Sequence, residues 1–121
     1  MTLNPVASTA LPYTLHDFVR ISAEDWCAAL SDGMAAQLAE LDTIATDSSA
    51  PTVETVLDAW ERSGQLLNRA VMGFWTLKEA DTTDALDAIE EEMSPRLAAH
   101  HDAILLDRRL YDRLVALDAR A

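Results

Sequence analysis

Three histidines and one thiol are the side chains of this sequence best suited to metal or nucleophile chemistry: His16, His100, His101 and Cys27. A catalytic zinc helix needs two histidines four residues apart on one face, with a glutamate between them. His100 and His101 are adjacent, so on a helix they point about 100° apart and do not share one ion in that way. His16 stands alone near the start, and no Glu-x-x-His pair exists to build a carboxylate di-metal site. His100 falls on an apolar stripe, where a half-buried, hydrogen-bonded histidine is the simpler reading. Cys27 lacks a motif that would activate its thiol, and next to Trp26 it reads as a small buried hydrophobe.

Other chemistries fare no better. Asp84, Asp87 and Glu91, flanked by Glu90 and Glu92, make an acidic face that could draw a cation or a basic partner. Their spacing follows the polar side of a helix, which a solvated face explains. Gly33, Gly64 and Gly73 are the only glycines, so there is no phosphate-cradling loop and no Gly-x-Ser-x-Gly elbow. Trp26, Trp60 and Trp75 recur at helical spacing, which suits core or interface anchors better than a ligand box. The residues therefore give no catalytic, cofactor-binding or metal site, and the chain reads as a non-catalytic helical module.

The elements behind these residues are all helical. Half of the 121 residues are hydrophobic and a quarter are charged, the composition of one globular domain. Residues 1–21, with Pro5 and Pro12, read as an extended arm packed down through Leu11, Tyr13, Leu15, Phe18 and Ile21. Ser22 to Asp25 resembles a capping box and opens a helix over 22–45, with Trp26, Leu30, Met34, Leu38, Leu41 and Ala45 on one face.

After the turn of residues 46–51, Thr52 caps a second helix over 52–80. Its stripe is Val56, Leu57, Trp60, Gly64, Leu67, Val71, Phe74 and Trp75, with Gly64 marking a close approach of another backbone. Gly33, inside the first helix, reads only as a local cost of about 1 kcal/mol. A third helix over 83–106 carries Leu86, Ile89, Met93, Leu97, His100 and Ile104. Pro95 is expected to kink or divide it, with Ser94 as a new cap. A last helix over 108–119 turns Leu110, Leu114 and Leu117 inward. The expected fold is all-α, an antiparallel bundle of about four helices with an N-terminal arm.

The net charge of −12 argues against nucleic acid and anionic membrane as partners, since both need a basic surface. A lone cysteine forms no intrachain disulfide, which fits a reducing compartment. With no basic-then-apolar leader at the start and no apolar run of membrane length, a cytoplasmic location is expected.

The order of short blocks along the chain resembles the M3 family of zinc metallopeptidases. The stretch from Pro51 to Arg69 looks like that family's long second helix, above all Pro51-Thr52, Glu54-Thr55, Glu61-Arg62-Ser63-Gly64 and Leu66-Leu67-Asn68-Arg69. Ahead of it stand Asn4-Pro5, Leu11-Pro12-Tyr13, Phe18, Ile21 and Glu24-Asp25-Trp26. Behind it stand Ala80-Asp81-Thr82, Leu86, Ile89-Glu90, Pro95, Leu97-Ala98-Ala99-His100 and Asp102-Ala103-Ile104, then Leu110-Tyr111 and Arg113-Leu114. The opening blocks are most similar to the bacterial peptidyl-dipeptidase branch, with oligopeptidase A second.

The resemblance implies an all-helical two-lobed enzyme whose N-terminal helices cover part of a channel for short peptides. Its zinc and general base sit on a His-Glu-x-x-His helix that has no counterpart in this sequence. No catalytic or metal residue is carried over. The implied partners are the remainder of a parent peptidase and, in that enzyme, short peptides. Zinc is implied for the full-length enzyme and no cofactor for this chain. The apolar surface left exposed by separation predicts a homodimer of the chain alone. The alternative is a freestanding helical interaction module without peptidase activity.

Overall fold

A computed structural model describes residues 4–7, 9, 11 and 15–120. Among them there are helices and turns but no strand, the all-α fold expected. A 3-10 turn at Phe18–Arg20 leads into α1 (Ala23–Thr46). A wide π-type helical turn, Val53–Asp58, runs on into the short α2 (Ala59–Arg62). Then come α3 (Gln65–Asp81), α4 (Asp84–Leu105) and α5 (Arg108–Arg120).

The starts of these helices follow their local chemistry. Ser22 Oγ accepts from the Asp25 N–H at 3.1 Å, and Asp25 Oδ2 accepts from the Ser22 N–H at 2.9 Å. That closed box satisfies two orphan groups, and Glu24 and Asp25 add negative charge where the helix dipole is positive. Thr52 and Thr55 form the same reciprocal pair at the head of the π-type turn. Thr83 Oγ1 accepts from the Leu86 N–H at 3.2 Å and opens α4. Asp47 accepts from the Ser49 N–H at 2.9 Å, which turns the chain away after α1.

The second helix expected over 52–80 is divided. Gly64 has φ 78°, in the left-handed region, and separates α2 from α3. The Ser63 hydroxyl donates to the Trp60 carbonyl at 2.6 Å and takes up part of the freed hydrogen-bonding capacity at that end. The third helix, by contrast, is not divided at Pro95: α4 is continuous from Asp84 to Leu105, and Ser94 starts no new helix. Pro95 lies on the exposed face, between buried Met93 and half-buried Leu97. The hydrogen bond its ring removes belongs to the carbonyl of exposed Glu91, which solvent can satisfy.

Helix α1 is the axis of the bundle. Trp26, Leu30 and Met34 pack with Leu67, Ala70 and Phe74 of α3 and with Leu86, Ile89 and Met93 of α4. A second core joins Leu41 and Ile44 of α1 to Val56 and to Leu110 of α5. Three expected stripe positions differ. Leu38 is exposed while Ile44 is buried, and Leu57 and Trp75 lie at the surface. Arg109 Nη1 meets Asp42 at 2.9 Å, and Arg113 Nη1 donates to the Ser49 carbonyl at 3.0 Å, so α5 is tied to the far end of α1.

The arm packs through only some of the expected residues: Ile21 is in the first core and Phe18 lies against it, and unexpected Val6 joins them. Leu11 and Leu15 are exposed, whereas Val6 is fully buried and Ile21 nearly so; Tyr13 and Pro12 lie outside the described residues. Asn4 Nδ2 donates to the Asp25 carbonyl at 3.0 Å, and Asn4 Oδ1 accepts from the Val6 N–H at 2.8 Å. Arg69 Nε donates to the Val6 carbonyl at 2.7 Å. Polar bonds to two helices thus seat one valine in the core.

Candidate functional site

Two of the three histidines, His16 and His100, are engaged, each at a different place in the bundle. His16 Nε2–H donates to the backbone carbonyl of Arg69 at 3.2 Å. Its ring packs against Phe18 and Trp26, with centroids 5.5 Å away in each case. Gly73 makes room for it: a Cβ there would stand 2.5 Å from His16 Nε2 and 2.8 Å from Trp26. Burial, and then the nearby Arg69 charge, push the His16 pKa down despite the carbonyl bond.

His100 is buried on α4, as its place on the stripe predicts. Its Nε2–H donates to Gln37 Oε1 of α1 at 2.7 Å. Burial lowers its pKa, and the adjacent His101 lowers it further. His101 itself is exposed. Among the described residues no three of His, Cys, Asp and Glu gather closely enough to hold a metal ion. The donors present do not fit a catalytic zinc, because they do not converge: His16 is bonded to α3, His100 to α1, and among the described residues no third ligand stands beside either ring.

Cys27 is half-buried. Burial, then the Glu92 charge, push its thiol up, away from the thiolate a nucleophile needs. The acidic face of α4 is partly neutralised within the bundle. Lys78 of α3 lies 2.5 Å from Glu90 and 3.3 Å from Asp87. Trp75 stands beside that lysine, whose Nζ is 5.8 Å from the ring centroid. Trp26 is fully buried and half-buried Trp60 supports the second core, so two tryptophans are structural anchors, and Trp75 is the most exposed of the three.

No family model matches the chain. Its sequence is 32% identical to dipeptidyl carboxypeptidase of Escherichia coli over 117 residues, which are 96% of this chain and 17% of that protein. The enzyme of the same name from Salmonella typhimurium is 32% identical over 118 residues, again 17% of its length. The chain is similar to one region of these two bacterial dipeptidyl carboxypeptidases. This likeness accords with the M3 resemblance carried by the short blocks, and it spans about a sixth of the relatives' length.

Within the chain, several of those blocks hold the fold together. Asn4 ties the arm to α1, Arg69 ties it to α3, Ser63-Gly64 forms the helix break, and His100 bonds to α1. Gln37 is the partner that sequence reasoning missed. A glutamine beside an apolar stripe, four residues after Gly33 and three after Met34, carried no distinctive signal by itself. Among the described residues no helix is long and apolar enough to cross a membrane.

Proposed function

We propose that the chain is a non-catalytic N-terminal region of a bacterial, cytoplasmic, zinc-dependent peptidyl-dipeptidase. In that enzyme it helps to cover the channel through which short peptides reach the zinc. The observation that carries this reading is the near-complete match of the chain to one-sixth of dipeptidyl carboxypeptidase. The donor set supports the non-catalytic part: His16 and His100 are bonded apart, and burial pushes the Cys27 thiol toward its neutral form.

The chemistry of peptide cleavage then belongs to another part of the parent polypeptide, and this region contributes a rigid wall. Its rigidity comes from α1, which is capped at its start and packed against both α3 and α4. The remainder of the peptidase is its partner. The test is metal analysis of the dialysed chain together with a fluorogenic peptide assay in added zinc. The expected result is sub-stoichiometric metal and no turnover. Chelator-sensitive turnover would contradict the proposal.

A further inference from the structure

Three elements change from one core to the other at the same level. On α1, Met34 belongs to the first core and Leu41 to the second, with Gln37 between them. On α4, Leu97 packs on the first and Ile104 on the second, with His100 between them. Along the divided helix, Trp60 packs on the second and Leu67 on the first, with Ser63 and Gly64 between them. The cores are therefore separated by a thin layer that is polar or bare.

That layer is bonded at one point. His100 Nε2–H donates to Gln37 Oε1 at 2.7 Å. A Cβ on Gly64 would lie 2.5 Å from Gln37 Nε2 and 2.8 Å from its Cδ, so the amide rests against the bare Cα of the helix break. The other ring nitrogen, His100 Nδ1, is buried without a hydrogen-bond partner.

We propose that this layer is an acid-sensitive hinge between the two cores, with His100 as its trigger. The neutral ring needs one donor, Nε2–H, and Gln37 accepts from it. A second proton leaves that bond intact but places an N–H and a full charge at Nδ1, where no acceptor reaches. Among the described residues no neighbouring carboxylate offsets the charge. On its own helix His101 repels it, while Arg96 is exposed and turned to Glu92 at 3.9 Å. Asp102 of α4, Glu40 of α1, and Glu61 and Arg62 of α2 are all exposed and none bonds to the ring. Gln37, Ser63 and Gly64, which complete the layer, are uncharged. The proton is accommodated by opening: α4 parts from α1 at Gln37, and the second core swings on the left-handed Gly64.

The sign follows from burial. His100 is held below its ordinary 6.5, so the opened form binds a proton more readily than the closed one. Closure is fully favoured above about pH 6.5 and weakens as pH falls toward the depressed value. This inference does not rest on the peptidase reading.

The experiment follows histidine ring protons and backbone amide exchange by NMR on the 121-residue chain, from about pH 7.5 to about pH 5. His100 is expected to titrate below 6.5. Protection beside the layer, after correction for intrinsic rates, should fall by up to about tenfold per pH unit in that window. It should fall there before helicity is lost globally. His100→Gln removes the titration and should abolish this local response, leaving any response near His16. Gln37→Glu gives the ring a carboxylate partner and should reverse it, so that protection rises on acidification. If His100→Gln fails to fold, the wild-type titration and exchange map still decide. A His100 titrating at or above 6.5, an undiminished response in a folded His100→Gln, or a loss spread evenly along the chain overturns the proposal.

Discussion

Gly33 of α1 faces the backbone of α3 at Leu67: a Cβ built on the glycine would lie 2.7 Å from the Leu67 Cα. The two main chains are in direct contact there, beside Leu30 and Met34 in the first core. Gly33→Ala should gain about 1 kcal/mol of helix propensity. It should lose more, because the obstacle is backbone and the helices must move apart. We expect a net loss of about 1–2 kcal/mol from overpacking, read by urea unfolding. A gain in stability would show that the crossing is looser than this.

Gly64 is constrained for a different reason. With φ 78°, it occupies a region that costs an ordinary residue about 1–2 kcal/mol. Its near neighbour is the flexible end of Gln37, which can yield. Gly64→Ala should therefore lose about 1–2 kcal/mol, and Gly64→Asn should lose less, since asparagine tolerates the left-handed region. Equal losses in thermal melts would mean that lateral crowding, not backbone conformation, sets the cost.

These two glycines mark how far the sequence could be read. Each drew attention, but their roles were exchanged: Gly64 was expected at the close backbone approach and Gly33 only as a local cost. A sequence shows that a side chain is missing, not which neighbour occupies the space. The caps were legible because Ser22 with Asp25 and Thr52 with Thr55 satisfy groups three residues away. Leu38 was placed inward and Ile44 left off the stripe because α1 meets different partners along its length, so its buried face turns. Pro95 was misread because its exposed carbonyl partner can be hydrated. At the candidate site, the separation of the histidines was legible and the bond to Gln37, which spans 63 residues, was not.

Ser22→Ala should cost about 1 kcal/mol, since it opens the box that closes the start of α1. Ser22→Asp keeps an acceptor at that place and should retain most of the stability. Chemical denaturation of both variants checks this, and no loss in Ser22→Ala would mean the cap is redundant with tertiary packing.

The separated chain should self-associate. Leu106 is 82% exposed and Leu105 66%, and Val19 and Met72 are also open to solvent. Apolar surface of this kind favours a partner, and a two-fold dimer is the commonest closed arrangement. The net charge of −12 opposes association at low salt, so the dimer fraction should rise as salt screens it. Sedimentation at two ionic strengths reads this directly, and a monomer at both would mean the helices cover what needs covering.

The central claim, that this chain is a channel-covering but non-catalytic part of a peptidyl-dipeptidase, is tested most directly by exchange. The chain replaces the matching one-sixth of the Escherichia coli dipeptidyl carboxypeptidase, and peptide cleavage is measured over a series of peptide lengths. The account predicts a folded, zinc-loaded chimera that still cleaves, with kcat near the parent's and KM shifted most for the longer peptides. A folded, zinc-loaded chimera that is inert, or one whose KM is unchanged at every length, would contradict it.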